Sequence, residues 1–211
     1  MPQNKLNYAM SNRRRKFIFF LCLLFLSLLI FLDNSYFRYK WQGSLASEKL
    51  KENTDFEKYN SGTFSVINVV DGDTLDINCP DNQKNYTRIR LLGIDAPELN
   101  TESGAAYFAP QAADFAKESV FGKKVTVYLD EDNNTRGKYG RLLAYVMLPD
   151  GKFLNEIMLT EGFACADTRF RHSFYNKYNQ LESSACSNKK GLWQNITPEQ
   201  MPQWMQEKES N

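Results

Sequence analysis

Four acidic residues and two arginines carry the chemistry that this chain can do. Asp71 and Asp73 stand one residue apart in VVDGDTLDI, so an extended backbone puts both carboxylates on one face. Asp95 and Glu98 follow in RIRLLGIDAPE, at the end of an aliphatic run that reads as a buried strand and also holds Arg90. A buried strand is a costly place for charge unless the charges are paired or bind something. Arg141 comes later, directly after the Lys138-Tyr139-Gly140 turn. Acids that converge without histidine or thiolate make a hard oxygen site, suited to Ca²⁺ or Mg²⁺. Cation, carboxylate base and arginine forks are what phosphodiester hydrolysis needs: positive groups stabilise charge on the phosphoryl oxygens while a carboxylate orients the attacking water. Each motif alone has a plainer reading. DGDT makes a hairpin turn, DAPE a helix entry with a capping acid, KYGR a basic loop tip, and Arg90 a strand arginine paired with a neighbouring acid. Their combination in this order is what argues for a site. Zinc and imidazole chemistry are disfavoured, because the chain has one histidine, His172, and no CxxC spacing.

The elements that must hold these groups follow from periodicity. TFSVINVVDGDTLDI (63–77) alternates, breaks at Asp71-Gly72 and resumes, which reads as two strands joined by a tight turn, since Asp-Gly favours positive dihedrals. YTRIRLLGI is the next strand of a meander. Apolar residues at 112, 115, 116 and 120 predict a helix over 110–121 stopped by Gly122. KVTVYLD (124–130) and RLLAYVML (141–148) are strands flanking a polar loop, and Asp150-Gly151 is a turn. FLNEIMLTEGFA begins a second helix ended by Gly162, and YNKYNQLESSACSNKKGLW is a third with Gly191 at its end. Five strands and three helices, with helices segregated from an antiparallel sheet, define an α+β fold.

Composition sets the surroundings. The chain has 211 residues, 42% of them hydrophobic, and a net charge of +1, enough to bury one ordinary core with residues to spare. From 62 to 193 there are fifteen Lys and Arg against seventeen Asp and Glu, so a nucleic-acid partner must be held by a local cluster rather than by net charge. Residues 1–16 form a basic segment, and 17–32 are sixteen residues without a charge. As a helix that run spans roughly 24 Å against a hydrocarbon core of ~30 Å, a shortfall that bilayer thinning or Tyr36 and Phe37 at the interface makes up. It reads as a transmembrane signal anchor, with a cleaved signal peptide as the alternative, and the basic flank puts the remainder of the chain outside the cytoplasm. Residues 33–61 read as a polar tether, 62–194 as the domain and 195–211 as a loose tail that Trp204 and Met205 could anchor. Cys165 and Cys186 flank the last helix and are the pair that a disulfide would join.

Taken together, VVDGDTLDI, RIRLLGIDAPE, RGKYGRLLAYV, DGKFLNEIMLTEGFA and GLW resemble the staphylococcal nuclease family over about residues 62–194. The resemblance implies a five-stranded OB-fold-type β-barrel with three α-helices, and a calcium-dependent nuclease acting on DNA and RNA. Position by position, it implies that Asp73 and Asp95 bind Ca²⁺ together with the backbone carbonyl of Ala96, where the family often has threonine. It implies that Glu98 is the general base, that Arg90 and Arg141 contact the phosphate, and that Asp71 supports water bound to the ion. A guanidinium is a reluctant proton donor, so electrostatic stabilisation is the role expected of both arginines. Lys138 and Tyr139 match residues near the terminal phosphate of a bound nucleotide, and Phe170 is placed to stack on a base. Two positions depart from the pattern: Gly137 stands where an acid is common, and Thr168 stands where an aromatic meets the base.

The expectation is a metal-dependent endonuclease, anchored in the cell membrane through 17–32 with its domain extracytoplasmic, or secreted if that segment is cleaved. Its partners are a DNA or RNA substrate and the membrane; no protein partner is implied, and the chain is expected to be a monomer. The alternative is a catalytically silent OB-fold module that binds nucleic acid or protein, and divalent-ion dependence separates the two.

Overall fold

The structure is a computed structural model that describes residues 12–209, with the side chains of 12, 15, 30–48, 52, 208 and 209 outside the description. Most of the basic segment 1–16, and the side chains of Tyr36 and Phe37, therefore lie outside the described residues. The chain divides into two units, the first ending at Lys51 and the second beginning at Glu52.

In the first unit the chain is helical, as part of α1 (Asn12–Tyr59). Every side chain from Phe17 to Leu29 is exposed. Among the described residues no helix is long and apolar enough to cross a membrane.

The second unit is built on a closed barrel. Its strands are β1 (Gly62–Val69), β2 (Thr74–Ile77), β3 (Thr87–Leu91), β5 (Lys124–Tyr128) and β6 (Leu142–Met147). They close in the order β1-β2-β3-β6-β5. Alternation explains β3: Thr87, Ile89 and Leu91 turn into the core, while Arg88 and Arg90 point to the other face. β3 and β6 run parallel, pairing Ile89 with Leu142 and Arg90 with Leu143, where sequence reading expects an antiparallel sheet throughout. The intervening excursion through α2 (Ala109–Val120) and β5 is long enough to return the chain in the same direction, as a parallel neighbour requires. A separate two-stranded pair joins β4 (Ile94–Asp95) to β7 (Cys165–Ala166).

α2, α3 (Leu154–Thr160) and α4 (Tyr175–Ser187) cover the barrel. The third predicted helix is shorter than its apolar pattern suggests. Lys189 takes a left-handed φ of 51°, and the chain resumes as a 3₁₀ turn over Gly191–Gln194. The last helix, α5 (Gln203–Glu209), follows.

Two boundaries differ from the sequence reading. The second unit starts ten residues before Gly62, because Tyr59 is fully buried, Phe56 packs on the core and Asp55 is buried, so the end of the polar stretch 33–61 belongs to the domain. At the other end, Ile196, Met201, Trp204 and Met205 pack on a cluster of Cys165, Ala185, Leu192 and Trp193, so the tail is docked. All four cysteines are free thiols: Cys165 is buried on β7 and Cys186 exposed on α4, and the expected pair does not form.

Candidate active site

Arg90 occupies the centre of the site because three neighbouring strands meet there. Across from it on β2 is Thr74, beside Asp73; on its other side β6 begins at Leu142, just after Arg141. The β1–β2 turn approaches closely for a reason that sequence reading assigned differently. Gly72 has no positive φ; a Cβ there would lie 2.6 Å from the Ala96 Cβ and 3.1 Å from that of Ala112, so glycine is required by contact rather than by turn geometry. Gly93 does take a positive φ, 78°, between β3 and β4, and its missing Cβ makes room for the His172 ring. That turn brings Asp95 back over Arg90. Asn155 fixes the turn from α3, donating from Nδ2 to the Leu92 carbonyl (2.9 Å) while its Oδ1 accepts from the Val146 amide (3.0 Å).

The guanidinium of Arg90 lies between two carboxylates. Nη2 donates to Asp95 Oδ1 at 2.6 Å, and Nη1 is ion-paired with Asp73 Oδ2. Nη1 is buried, and the Asp73 Oδ2 it pairs with also accepts from the Ala96 amide at 2.7 Å. Asp71 Oδ1 accepts from the Asp73 amide at 3.0 Å. Burial pushes Asp73 up to about 8; Arg90 and the Ala96 amide pull the other way, while Asp71 and Asp95 add to the rise. Glu98 is raised by burial and by Asp71, against the pull of Arg90 and Arg141.

Three cavities converge on this cluster. One of about 540 Å³ is lined by Arg90, Arg141, Lys138, Tyr139, Leu143 and Phe170. A second, of about 650 Å³, brings Glu98 together with Tyr139 and Arg141. A third, of about 780 Å³, holds Asp95, Ala96 and Glu98. Tyr139 is 77% exposed and Phe170 63%, open to stack on an incoming ring. Arg141 Nη1 lies 3.4 Å from Thr74 Oγ1. Every candidate catalytic, metal-binding and substrate-binding residue thus lies on the cluster or on a cavity that opens from it, although Ala96 shows only its amide in use and Thr168 lines none of the three cavities.

Several supporting groups carry no motif. Arg136 donates to Asp55 from Nε (2.7 Å) and Nη2 (2.6 Å), to Asp81 from Nη1 (2.5 Å) and to the Gly140 carbonyl (3.1 Å), clamping the loop that bears Lys138 and Tyr139. On the far side of the first cavity, Tyr145 donates to Asp130 Oδ2 at 2.6 Å and lies 3.1 Å from His172 Nδ1. Burial raises Asp130, but the hydrogen bonds from Tyr145 and the Ser173 amide outweigh it and bring the carboxyl to about 2. His172 is lowered by burial, which Asp130 and Asp167 only partly oppose. It is a packing residue beneath Gly93.

The residues fit a hard cation. The donors are all oxygen, from Asp73, Asp95, Glu98 and the Ala96 carbonyl. Among the described residues no three Asp, Glu, His or Cys form a ready cage. A site with few protein ligands and several waters is what the donors allow. Without metal, the buried charge of Asp73 opposes folding. Because its folded pKa lies above the unfolded one, this penalty is absent below about pH 4 and grows as pH rises toward about 8. Asp73→Asn is therefore expected to stabilise the metal-free protein at pH 8 by about 2 kcal/mol, or roughly 5 °C; lost pairing with Arg90 offsets a larger gain. Thermal unfolding in chelator checks this, and a lower melting temperature for the variant would refute it.

A closed five-stranded barrel carries a carboxylate and arginine cluster on its wall, open to three cavities, an arrangement suited to phosphodiester chemistry. The family model described as staphylococcal nuclease homologue matches residues 88–195, a span that includes Arg90, Asp95, Glu98 and Arg141. The chain belongs to that family. It is similar to a thermonuclease of Staphylococcus hyicus, 33% identical over 64% of this chain and 78% of that one. It is also similar to an uncharacterized endonuclease of Escherichia coli O157:H7, 35% identical over 66% of this chain and 81% of that one. A thermonuclease of Staphylococcus intermedius is 31% identical over 63% and 76%.

Proposed function

We propose that the chain is a calcium-dependent nuclease that hydrolyses phosphodiester bonds of DNA or RNA. The observation that carries this reading is Arg90 held between Asp73 and Asp95, with Arg141 beginning the neighbouring strand and Glu98 in a cavity shared with Arg141. Asp73, Asp95 and the Ala96 carbonyl would hold the ion, with Asp71 steadying the Asp73 backbone and water beside it. When bound, calcium supplies positive charge to a phosphoryl oxygen.

The chain's own residues account for the remaining steps. Glu98 takes a proton from water as the water oxygen bonds to phosphorus; the bond from phosphorus to the leaving sugar oxygen breaks in line, and that oxygen takes a proton from solvent. A raised carboxyl is a stronger base than an ordinary one, which suits Glu98 to this task near neutral pH. Arg90, set between Asp73 and Asp95, brings positive charge to the phosphate, and Arg141 adds a second guanidinium; both stabilise charge rather than give up protons. Lys138 and Tyr139 meet an adjoining phosphate, and Phe170 stacks on a base.

Glu98→Gln keeps size and hydrogen bonding and removes the base. Single-turnover cleavage of single-stranded DNA is expected to slow by about 10²- to 10⁴-fold with little change in nucleotide binding; an unchanged rate would remove Glu98 from the mechanism. A binding module would hold nucleic acid in chelator and cut nothing with calcium. We further propose that the run 17–32 anchors the chain in the cell membrane with the domain extracytoplasmic, as a monomer. An apolar helix exposed on all sides from Phe17 to Leu29 needs an apolar surrounding, which supports this reading.

A further inference from the structure

Both oxygens of the Asp95 carboxylate are engaged, and one is held from the far end of the chain. Arg90 takes Oδ1 at 2.6 Å; the indole Nε1–H of Trp204, on α5, donates to Oδ2 at 2.8 Å. Arg169 Nη2 lies 3.3 Å from the same oxygen. Its guanidinium lies 4.9 Å from the centre of the Trp204 ring and is itself fixed by two hydrogen bonds to Asp167, at 2.8 and 2.9 Å. Trp204 cannot easily drift, because Ile196, Met201 and Met205 dock the same segment on buried Leu192 and Trp193. The segment walls the cavity of about 780 Å³ with Ile196, Met201 and Pro202 and leaves Asp95 lining it.

The donor's chemistry matters. An indole N–H orients the carboxylate without adding a further positive charge to those that Arg90 and Arg169 already bring to it. Groups that hold a ligating carboxylate in this way tune metal affinity without touching the metal. We infer that Trp204 is a positioning residue of the active site, presenting Asp95 to the cation, and that the C-terminal segment is thereby part of the catalytic apparatus. The inference rests on the calcium reading above.

Calcium titration calorimetry on the unaltered chain, on Trp204→Phe and on Asp73→Asn tests it, with melting temperatures measured in chelator. Phenylalanine keeps the packing and removes the N–H. Expected is an Asp73-dependent calcium site whose affinity falls about tenfold in Trp204→Phe, with the metal-free melting temperature unchanged. Equal or tighter binding by Trp204→Phe, with the Asp73-dependent site intact, overturns the role of Trp204 and leaves the nuclease reading standing. No Asp73-dependent binding in the unaltered chain overturns both.

Discussion

Alanine in place of Arg90 is expected to lower phosphodiester cleavage by at least about 10³-fold. A single donor aimed at a developing oxyanion is worth about 10²- to 10³-fold. Arg90 does more than donate, because it is the guanidinium set between Asp73 and Asp95. Without it the two acids repel each other at close range, and the charge that draws a phosphate toward them is lost. The loss is expected mainly in the chemical step, so single-turnover rates should fall much further than nucleotide affinity. Arg90→Lys should recover only part of the rate, since an ammonium cannot reach two carboxylates and a phosphate from one plane. Cleavage by Arg90→Ala within tenfold of the unaltered chain would show that Arg90 is a structural ion-pair partner and nothing more.

Asp55→Ala is expected to cost about 3–5 kcal/mol of stability, roughly 10 °C in melting temperature, and to raise KM for a nucleic-acid substrate. Asp55 accepts from Thr135 Oγ1 at 2.7 Å and from Arg136 at 2.6 and 2.7 Å, all largely buried. Removing the acid leaves a buried guanidinium with Asp81 as its remaining carboxylate partner. The same guanidinium holds the Gly140 carbonyl, so the loop bearing Lys138 and Tyr139 loosens as the domain weakens. Denaturant unfolding and steady-state kinetics check the two effects together. A stability change below about 1 kcal/mol would mean that the end of α1 is only laid against the barrel.

The sequence discloses the local and conceals the distant. The β1–β2 turn, β3 with its outward arginines and the α2 and α3 helices all follow from periods of two or 3.6 within a dozen residues. The chemical groups are legible for the same reason, because Arg90, Asp95 and Glu98 travel on one stretch. What places them together is not local. The parallel pairing of β3 with β6 joins segments some fifty residues apart, and no period announces it. Asp55 reads as one more charge in a polar stretch; only Phe56 and Tyr59, three apart on a helix, hint at a buried face. Trp204 reads as an anchor for a tail, and that it ends on Asp95, 109 residues earlier, depends on how the tail crosses a cluster assembled from three elements. Gly72 is the subtlest case. Asp-Gly suggests a turn and a turn is there, yet the glycine is needed because Ala96 approaches from outside the hairpin.

The most direct test of the account is fragment release from single-stranded DNA by the purified chain of 211 residues, first with Ca²⁺ and then with chelator in excess. Cleavage with calcium that stops in chelator, and returns when calcium is restored, is the result that the carboxylate and arginine cluster predicts. DNA left intact with calcium, by protein shown to be folded, or cleaved equally well in chelator, would contradict it.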